Sequence, residues 1–241
     1  MTKRGLDSLL AINLLLILAI PIFWVLFVVW LTDRACPVYV SWRTGKNKRP
    51  FKLYKIRTMV PGADVKGTSV TTANDSRITA VGRLLRASKL DELPQLINIL
   101  KGDMSFVGPR PNVKAETDLY SSAEQDIFLH RPGITDLSSI IFFDEERILA
   151  EVNASTQFYH CSIRPIKNRI AILYANNRSL VYDIKIIYLT FLSVFNRQGA
   201  LKRASQILSL FSKDKWLANV AVTGGDVLLN HSSQSRYIKR S

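Results

Sequence analysis

Residues 9–31 read LLAINLLLILAIPIFWVLFVVWL, a run of 23 residues without a charged side chain. A continuous helix over this run would be about 34 Å long, whereas the hydrocarbon core of a bilayer is about 30 Å thick. The run is too long for a secretory signal peptide, and it leads directly into more protein. The sequence therefore predicts a membrane helix near the N-terminus.

Pro21 lies near the middle of this run, where proline removes a backbone hydrogen bond and kinks a helix. The two resulting arms, Leu9–Ile20 and Ile22–Leu31, would each be about 15–18 Å long. A kinked helix either spans the membrane or enters and leaves through the same leaflet. Basic residues flank the run on both sides: Lys3, Arg4, Arg34, Arg43, Lys46, Lys48 and Arg49. Because basic residues prefer the cytoplasmic side, these flanks favour the re-entrant alternative.

Composition limits the class of protein. The 241 residues suit one large domain or a domain with an appendage, and 47% apolar residues exclude a chain that is disordered throughout. The net charge of +14 predicts a polyanionic partner, such as phosphates, nucleic acid or an anionic membrane. Cys36 and Cys161 lie far apart, which argues against a disulfide framework or a zinc site and fits a reducing cytoplasmic setting.

The hydrophobic patterns after residue 37 predict an α+β, mainly helical domain. Strands at 38–42 and 51–57, joined by a turn at 44–47, form a β-hairpin with a basic tip. Residues 60–76, which are rich in small and polar residues, predict a mobile loop. Helical patterns follow at 78–87, 89–101, 113–130, 144–152, 162–177 and 179–195. A short amphipathic helix is expected at 207–211, and disorder over the last dozen residues.

Two adjacent carboxylates, Asp91 and Glu92, lie in a block that also contains Arg83 and Arg86. Asp91 alone has a structural explanation, because Ser88 and Asp91 match a helix capping box. Glu92 has no such role. Paired carboxylates stay ionised beside arginines or a divalent cation, and Mg²⁺ binds both carboxylates and substrate phosphates. An ionised aspartate near a metal-bound diphosphate can also act as a nucleophile.

Arg110 lies between two prolines in the stretch Gly108-Pro109-Arg110-Pro111. The prolines fix the backbone and so aim the guanidinium group, which suits bidentate recognition of phosphate. A surface turn with a solvated arginine is the alternative.

Six motifs in order resemble the bacterial sugar transferase family, the monotopic polyprenol-phosphate phosphoglycosyl transferases in their small form. They are Lys55–Met59, Asp75–Thr79, Gly82–Arg86, Leu90–Gln95, Gly102–Pro111 and Arg131–Thr135. The resemblance covers about residues 1–195. It implies a membrane anchor over 1–33, a catalytic domain over 34–195 and a basic tail over 196–241.

The resemblance also implies a two-step reaction. Asp91 would attack the β-phosphate of a UDP-sugar and release UMP, and undecaprenyl phosphate would then take the phosphosugar. Glu92 would bind Mg²⁺ together with Asp91. The basic side chains at positions that bind substrate phosphate, or that recur in the family, are Lys55, Arg57, Arg77, Arg86 and Arg110. Pro21 would break the re-entrant membrane helix.

The resemblance further places the chain at the bacterial inner membrane, with the catalytic domain on anionic lipids at the cytoplasmic face. Nucleic acid is not an expected partner, and a homo-oligomer is possible. The sequence departs from the commoner family pattern at Asp136-Leu137-Ser138-Ser139, which puts nucleotide and sugar recognition in doubt. Two alternatives remain: a non-catalytic, membrane-attached basic scaffold, and a metal-dependent phosphohydrolase.

Overall fold

A computed structural model describes residues 3–63, 71–73, 75–152 and 155–232. The chain forms two compact units. The first comprises Met1–Lys66 and Ser76–Ile134, and the second comprises Gly67–Asp75 and Thr135–Ser241. The described residues are mostly helical with two small sheets, so the prediction of an α+β, mainly helical fold is confirmed.

In its described residues, the first unit contains four helices and four short strands. They are α1 (Lys3–Asp33), β1 (Val38–Thr44), β2 (Pro50–Ile56), α2 (Ala80–Ser88), α3 (Gln95–Lys101), β3 (Ser105–Val107), α4 (Lys114–Thr117) and β4 (Gly133–Thr135). The 3₁₀-helical segments are Lys46–Lys48, Leu90–Glu92 and Ser122–Leu129. The predicted loop at 60–76 lies partly outside the described residues.

The predicted β-hairpin is confirmed. β1 and β2 are antiparallel, with Val38 opposite Ile56 and Thr44 opposite Pro50. The free edge of β2 is occupied by Asn98, whose side-chain oxygen accepts a hydrogen bond from the backbone N–H of Tyr54 at 3.2 Å. This contact fixes α3 beside the hairpin.

Helix α1 runs through Pro21 and, by length and composition, is long and apolar enough to cross a membrane. Its first turn contacts the end of α3, because the Arg4 guanidinium donates to the carbonyls of Ile99 and Leu100. Near its other end, Val29 packs against Ile56 of β2 and Leu85 of α2.

A straight helix would hold Arg4 and Val29 about 38 Å apart. Both instead contact neighbouring parts of the first unit, because Asn98 of α3 is hydrogen-bonded to Tyr54 of β2. This geometry favours a helix bent between its two ends over a straight rod. Pro21 lies between those ends, where a kink is expected.

The single helix predicted at 89–101 is wrong. Helix α2 ends at Ser88, Lys89 caps it with a left-handed backbone at φ of 58°, and a 3₁₀ turn over Leu90–Glu92 separates α2 from α3. The capping-box alternative for Asp91 is also wrong. The Ser88 hydroxyl donates to the carbonyls of α2 and caps nothing. Asp91 and Glu92 therefore lie in a tight turn between two helices.

The single helix predicted at 113–130 is wrong as well. It divides into α4 and the 3₁₀ segment, because Ser121 and Glu124 form a capping box that starts a new segment. The helix predicted at 78–87 is confirmed as α2. Thr79 caps it by accepting a hydrogen bond from the N–H of Gly82 at 2.9 Å.

The second unit is helical in its described residues. It contains α5 (Leu137–Ile141), α6 (Glu145–Ala150), α7 (Ser155–Phe158), α8 (Arg164–Asn177), α9 (Leu180–Phe195), α10 (Arg197–Phe211), α11 (Lys215–Thr223) and α12 (Val227–Ser232). The helices predicted at 144–152, 162–177 and 179–195 correspond to α6, α8 and α9. Residues 136–139, where the sequence departs from the commoner family pattern, form the start of α5. The Asp136 carboxylate caps this helix by accepting hydrogen bonds from the N–H of Ser139 and from the Ser138 hydroxyl.

Residues 197–232 are more helical than the sequence predicted, and the short helix expected at 207–211 lies within the longer helix α10. They form α10 to α12, and buried residues of α10 include Ala200, Leu201 and Leu208. Arg197 anchors α10 by donating to the Asp144 carboxylate at 2.8 Å and to the carbonyls of Ile140 and Ile141. The disorder predicted for the last dozen residues falls mainly on 233–241, which lie outside the described residues.

Candidate active site

The turn between α2 and α3 buries two carboxylates side by side. Asp91 is 6% exposed and Glu92 is 8% exposed. The Oε1 atom of Glu92 accepts hydrogen bonds from Lys55 Nζ at 3.0 Å and from Arg110 Nη2 at 2.7 Å. Lys55 Nζ lies 3.7 Å from Oδ2 of Asp91. Three separate chain segments therefore meet at these carboxylates.

The second carboxylate oxygen of Asp91, Oδ1, is buried and accepts no hydrogen bond from any described residue. A buried oxygen of this kind costs free energy, since native proteins pair nearly all of their buried polar atoms. Groups left in this state are commonly part of a reactive or ligand-binding site. Oδ1 of Asp91 thus has unused capacity to accept a hydrogen bond or bind a cation.

The two carboxyl groups differ in acidity. Burial raises the pKa of Asp91 above its ordinary range, although the Lys55 ammonium opposes the shift. Burial also acts to raise the pKa of Glu92, but the positive charges of Arg110 and Lys55 outweigh it and hold that pKa well below its ordinary range. Glu92 is therefore a fixed anion at neutral pH, whereas the charge of Asp91 depends on its neighbours.

Lys89 is a site residue that the sequence patterns did not single out. Burial lowers the pKa of its ammonium group, and its charge acts on both Asp91 and Glu92. Its left-handed backbone makes the turn that carries the two carboxylates. The sequence indicated Lys89 only through its position two residues before Asp91 in a basic block. A lysine at that position is equally typical of a solvated helix end.

Arg86 reaches the same site from α2. Its Nε donates to the Thr58 hydroxyl at 2.9 Å, and its charge acts on Asp91. Helix α2 approaches Thr58 closely because residue 82 is glycine: a Cβ there would lie 2.0 Å from the Thr58 carbonyl oxygen. Gly82 thus allows the approach that brings Arg86 beside the carboxylates.

Arg110 is positioned by a similarly close contact. A Cβ on Gly108 would lie 2.3 Å from the carbonyl oxygen of Arg131, so the two chain segments touch through their backbones. The carbonyl of Pro109 accepts from the N–H of Gly133 at 3.0 Å. These contacts hold Arg110 toward Glu92. Arg110 also lines a shallow cleft with Asn112, among other residues.

Two of the predicted phosphate-binding residues lie elsewhere. Arg57 binds the carboxylate of Asp33 with both terminal guanidinium nitrogens, at 2.5 and 2.7 Å, and thereby holds the end of α1. Arg77 donates to the carbonyl of Ala63 at 2.9 Å. The structure thus brings together Lys55, Arg86, Asp91, Glu92 and Arg110, whereas Arg57 binds Asp33 and Arg77 binds the carbonyl of Ala63. Their roles toward substrate stay predictions.

The donor set fits the predicted Mg²⁺. Two adjacent carboxylates, one with a free oxygen, offer the one or two protein ligands that Mg²⁺ usually takes beside substrate phosphates. Among the described residues, no group of three or more acidic, histidine or cysteine side chains forms a complete protein cage for a metal. A cation at this site would therefore share its coordination shell with the substrate.

Known proteins resemble this chain over most of its length. The model of the bacterial sugar transferase family matches residues 1–197. The exopolysaccharide production protein ExoY of Sinorhizobium fredii is 33% identical over 214 residues, covering 83% of this chain and 88% of that protein. A UDP-glucose:undecaprenyl-phosphate glucose-1-phosphate transferase of Caulobacter vibrioides is 32% identical over 203 residues, covering 82% and 71%.

Longer relatives match as well. The enzyme of the same name from Klebsiella pneumoniae is 33% identical over 204 residues, which are 83% of this chain but 42% of that protein. This chain spans under half the length of that relative. All six motifs, with the carboxylate pair and the basic residues around it, fall within the matched residues. The chain therefore belongs to the bacterial sugar transferase family.

Proposed function

We propose that this chain transfers a sugar phosphate from a UDP-sugar to a polyprenyl phosphate, such as undecaprenyl phosphate, with release of UMP. Relatives at 32–33% identity carry names that state this reaction for glucose, and ExoY is named for exopolysaccharide production. The reaction would be an early membrane step in the assembly of a glycoconjugate. The identity of the sugar is left to experiment.

The observation that carries the proposal is the buried, unpaired Oδ1 of Asp91 beside Glu92 and its bound cations. In the first step this carboxylate attacks the phosphorus that bears the sugar. A bond forms between Asp91 and that phosphorus, and the bond from phosphorus to the oxygen bridging to UMP breaks. UMP leaves with the electron pair, so the step needs no proton transfer to the nucleophile.

Positive charge around the carboxylates supports this step. Lys55 and Arg110 already bind Glu92, and Lys89 and Arg86 act on Asp91. A diphosphate entering the site would meet these groups at fixed positions, and they would neutralise charge that builds up on the departing phosphate. The same cations oppose the effect of burial, which still raises the pKa of Asp91 overall.

In the second step an oxygen of the polyprenyl phosphate attacks the same phosphorus. The bond to Asp91 breaks, the carboxylate regains its charge, and the product is a lipid-linked diphosphosugar. Asp91 and Glu92 are the residues that would hold Mg²⁺, with substrate oxygens completing its shell. When bound, Mg²⁺ supplies charge stabilisation to the phosphoryl oxygens during transfer.

The lipid acceptor requires a membrane position. We propose that α1 enters the inner membrane from the cytoplasmic side, bends at Pro21 and leaves on the same side. Both ends of α1 contact the first unit, which supports this path. Exposed basic residues of the first unit, such as Arg34, Lys46, Lys48 and Arg49, would then face the anionic lipids of the inner leaflet, where each contributes roughly 1 kcal/mol.

The test uses the purified full chain, labelled UDP-sugars and Mg²⁺. Wild type should release UMP in a burst without acceptor and carry a phosphosugar on the peptide that contains Asp91. Asp91→Asn should abolish both, while Asp118→Asn, an exposed aspartate paired with Lys114, should change neither. Soluble sugar phosphate as the main product would indicate a phosphohydrolase. An absence of any turnover across a UDP-sugar screen would leave the non-catalytic scaffold.

A further inference from the structure

The two faces of the β-hairpin differ in character. Residues that pair directly across β1 and β2 share a face, and neighbours along a strand point to opposite faces. We call one side the outer hairpin face, which carries Val40, Trp42, Lys52 and Tyr54. Lys55 lies on the other side, where it binds Glu92. On the outer hairpin face, by contrast, Val40 is 45% exposed and Trp42 is 60% exposed.

Helix α1 packs against this same side of the hairpin. Ile56 follows Tyr54 by two residues in β2, so its side chain points to the same face. Ile56 packs with Val29 of α1 and Leu85 of α2, and it is only 2% exposed. Farther along the two strands, Trp42 is left uncovered. The outer hairpin face therefore continues the surface against which the apolar helix α1 lies.

Lysines border both aromatic rings of this surface. Lys52 Nζ lies 5.4 Å from the ring centroid of Trp42. Lys101 Nζ lies 5.0 Å from the ring centroid of Tyr54 and donates to its hydroxyl at 2.9 Å. Lys101 is the last residue of α3, and the last turn of α3 binds Arg4 of α1. Aromatic rings and ammonium groups thus lie side by side between the two contacts of α1 with the first unit.

This combination fits the headgroup layer of an anionic membrane. Tryptophan and tyrosine prefer that layer, because their rings contact apolar chains while their polar atoms stay hydrated. Lysines at the same level are attracted to the negative charge of the lipids. A second copy of the chain is a poorer occupant. A two-fold symmetric contact pairs a surface with itself, so that Lys52 and Lys101 would meet like charges.

We propose that the outer hairpin face rests on the leaflet that α1 enters. Trp42 inserts its ring at the headgroup level, and Lys52 and Lys101 bind the phosphates of anionic phospholipids. This inference rests on the membrane position given under the proposed function and not on its chemistry. Because β2 carries Lys55 on its other face, the contact also sets how far the catalytic carboxylates lie from the lipid.

The experiment uses the full chain with a single tryptophan, the others being replaced by phenylalanine. The protein is reconstituted in vesicles of phosphatidylethanolamine and phosphatidylglycerol that contain brominated acyl chains. Bromines near the headgroup should quench Trp42 more strongly than bromines near the chain end, and the vesicles should protect Trp42 from acrylamide. Trp24, which is 57% exposed on α1, is the control for insertion of the helix.

The lysines are tested in the variant that keeps only Trp42. In anionic vesicles, the equilibrium constant for seating Trp42 in lipid should fall about fivefold for each lysine lost in Lys52→Gln and Lys101→Gln. Lys114→Gln, which removes an exposed lysine paired with Asp118, is the matched control and should change nothing. In vesicles of phosphatidylcholine alone, the two variants should no longer differ from the parent.

Quenching of Trp24 without quenching of Trp42 would overturn the inference and leave the membrane position intact. A Trp42 that is protected from acrylamide but unquenched by lipid, together with faster sedimentation, would assign the outer hairpin face to a second copy of the chain. An unquenched Trp24 would overturn the membrane position and the inference with it. UMP release, measured on the same vesicles, tests the proposed reaction separately. A chain with quenched Trp42 that released no UMP would contradict the reaction alone.

Discussion

Asp91 and Glu92 are neighbours in the chain, yet their surroundings act on them in opposite directions. Burial dominates at Asp91 and raises its pKa, whereas Arg110 and Lys55 prevail at Glu92 and lower its pKa. A raised pKa in a carboxyl group means that the folded state disfavours its charged form. The anion of Asp91 therefore opposes folding at neutral pH, while the anion of Glu92 supports it.

Neutral replacements should separate these two effects. At pH 7 we expect Asp91→Asn to leave the free energy of unfolding equal to or above that of wild type, because a buried charge is removed. Glu92→Gln should lower it by roughly 1–3 kcal/mol, because Arg110 and Lys55 lose their counter-charge. Denaturant unfolding of both variants measures the difference.

The pH dependence supplies the check. The contribution of Glu92 is present above its ordinary pKa of 4.5 and is lost as the pH falls toward its lowered value. The penalty at Asp91 exists above its raised pKa and disappears as the pH falls through it. A destabilised Asp91→Asn at neutral pH would contradict the assignment of Asp91 as a group strained for function.

At the scale of single residues, the sequence motifs predicted most of the side chains that meet at the candidate active site. Lys55, Asp91, Glu92 and Arg110 meet as expected. Arg57 does not join them, because its partner Asp33 lies 24 positions earlier and the pairing forms only when α1 docks. Its contact with Asp33 depends on tertiary structure, which a local pattern does not contain.

At the scale of elements, the hairpin was predictable and the catalytic turn was not. Alternating apolar residues and a basic turn define β1 and β2 locally. The break between α2 and α3 depends instead on Lys89 adopting a left-handed backbone, which non-glycine residues do infrequently. Lysine as a residue type does not indicate a left-handed backbone, and the apolar spacing over 89–101 instead predicts one continuous helix.

Helix α1 gives a prediction of its own. Pro21→Leu should straighten α1, so that the contacts of Arg4 and Val29 with the first unit can no longer both form. We expect the N-terminal end to move to the opposite side of the membrane. A cysteine at Lys3, in a background with Cys36 and Cys161 replaced, should then become accessible to an impermeant maleimide outside the cell.

Ala19→Leu is the matched control, since it adds the same side chain at an exposed position of α1 and keeps the proline. It should leave the cysteine protected, as in the parent. Protection that persists in Pro21→Leu would show that the docking contacts, rather than the proline, set the bend.

At the scale of the whole molecule, the family match ends at residue 197, where α10 begins. The basic composition of the remaining residues suggested a tail, because charges there obscured the helical pattern. The buried residues of α10 to α12 make this segment part of the second unit. Arg197 connects it to α5 and Asp144, over 50 positions earlier in the chain.

Arg197→Ala should therefore lower the free energy of unfolding by about 1–3 kcal/mol, because two carbonyls of α5 and the Asp144 carboxylate lose their donor. Arg203→Ala, an exposed arginine of the same helix, should leave it within about 0.5 kcal/mol of wild type. Thermal unfolding monitored by circular dichroism compares the two. Equal melting temperatures would mean that α10 is held by its apolar contacts alone.

The attachment of α1 at both ends also bears on biogenesis. Lys3, Arg4 and Asp7 bind the first unit at one end, and Asp33 binds it at the other. In the re-entrant arrangement proposed above, both ends of α1 are tied to the same unit, and no ionised group has to be translocated through hydrocarbon during assembly. The transmembrane potential then performs no electrical work on insertion, and newly made chains could settle into vesicles that hold no ion gradient at all.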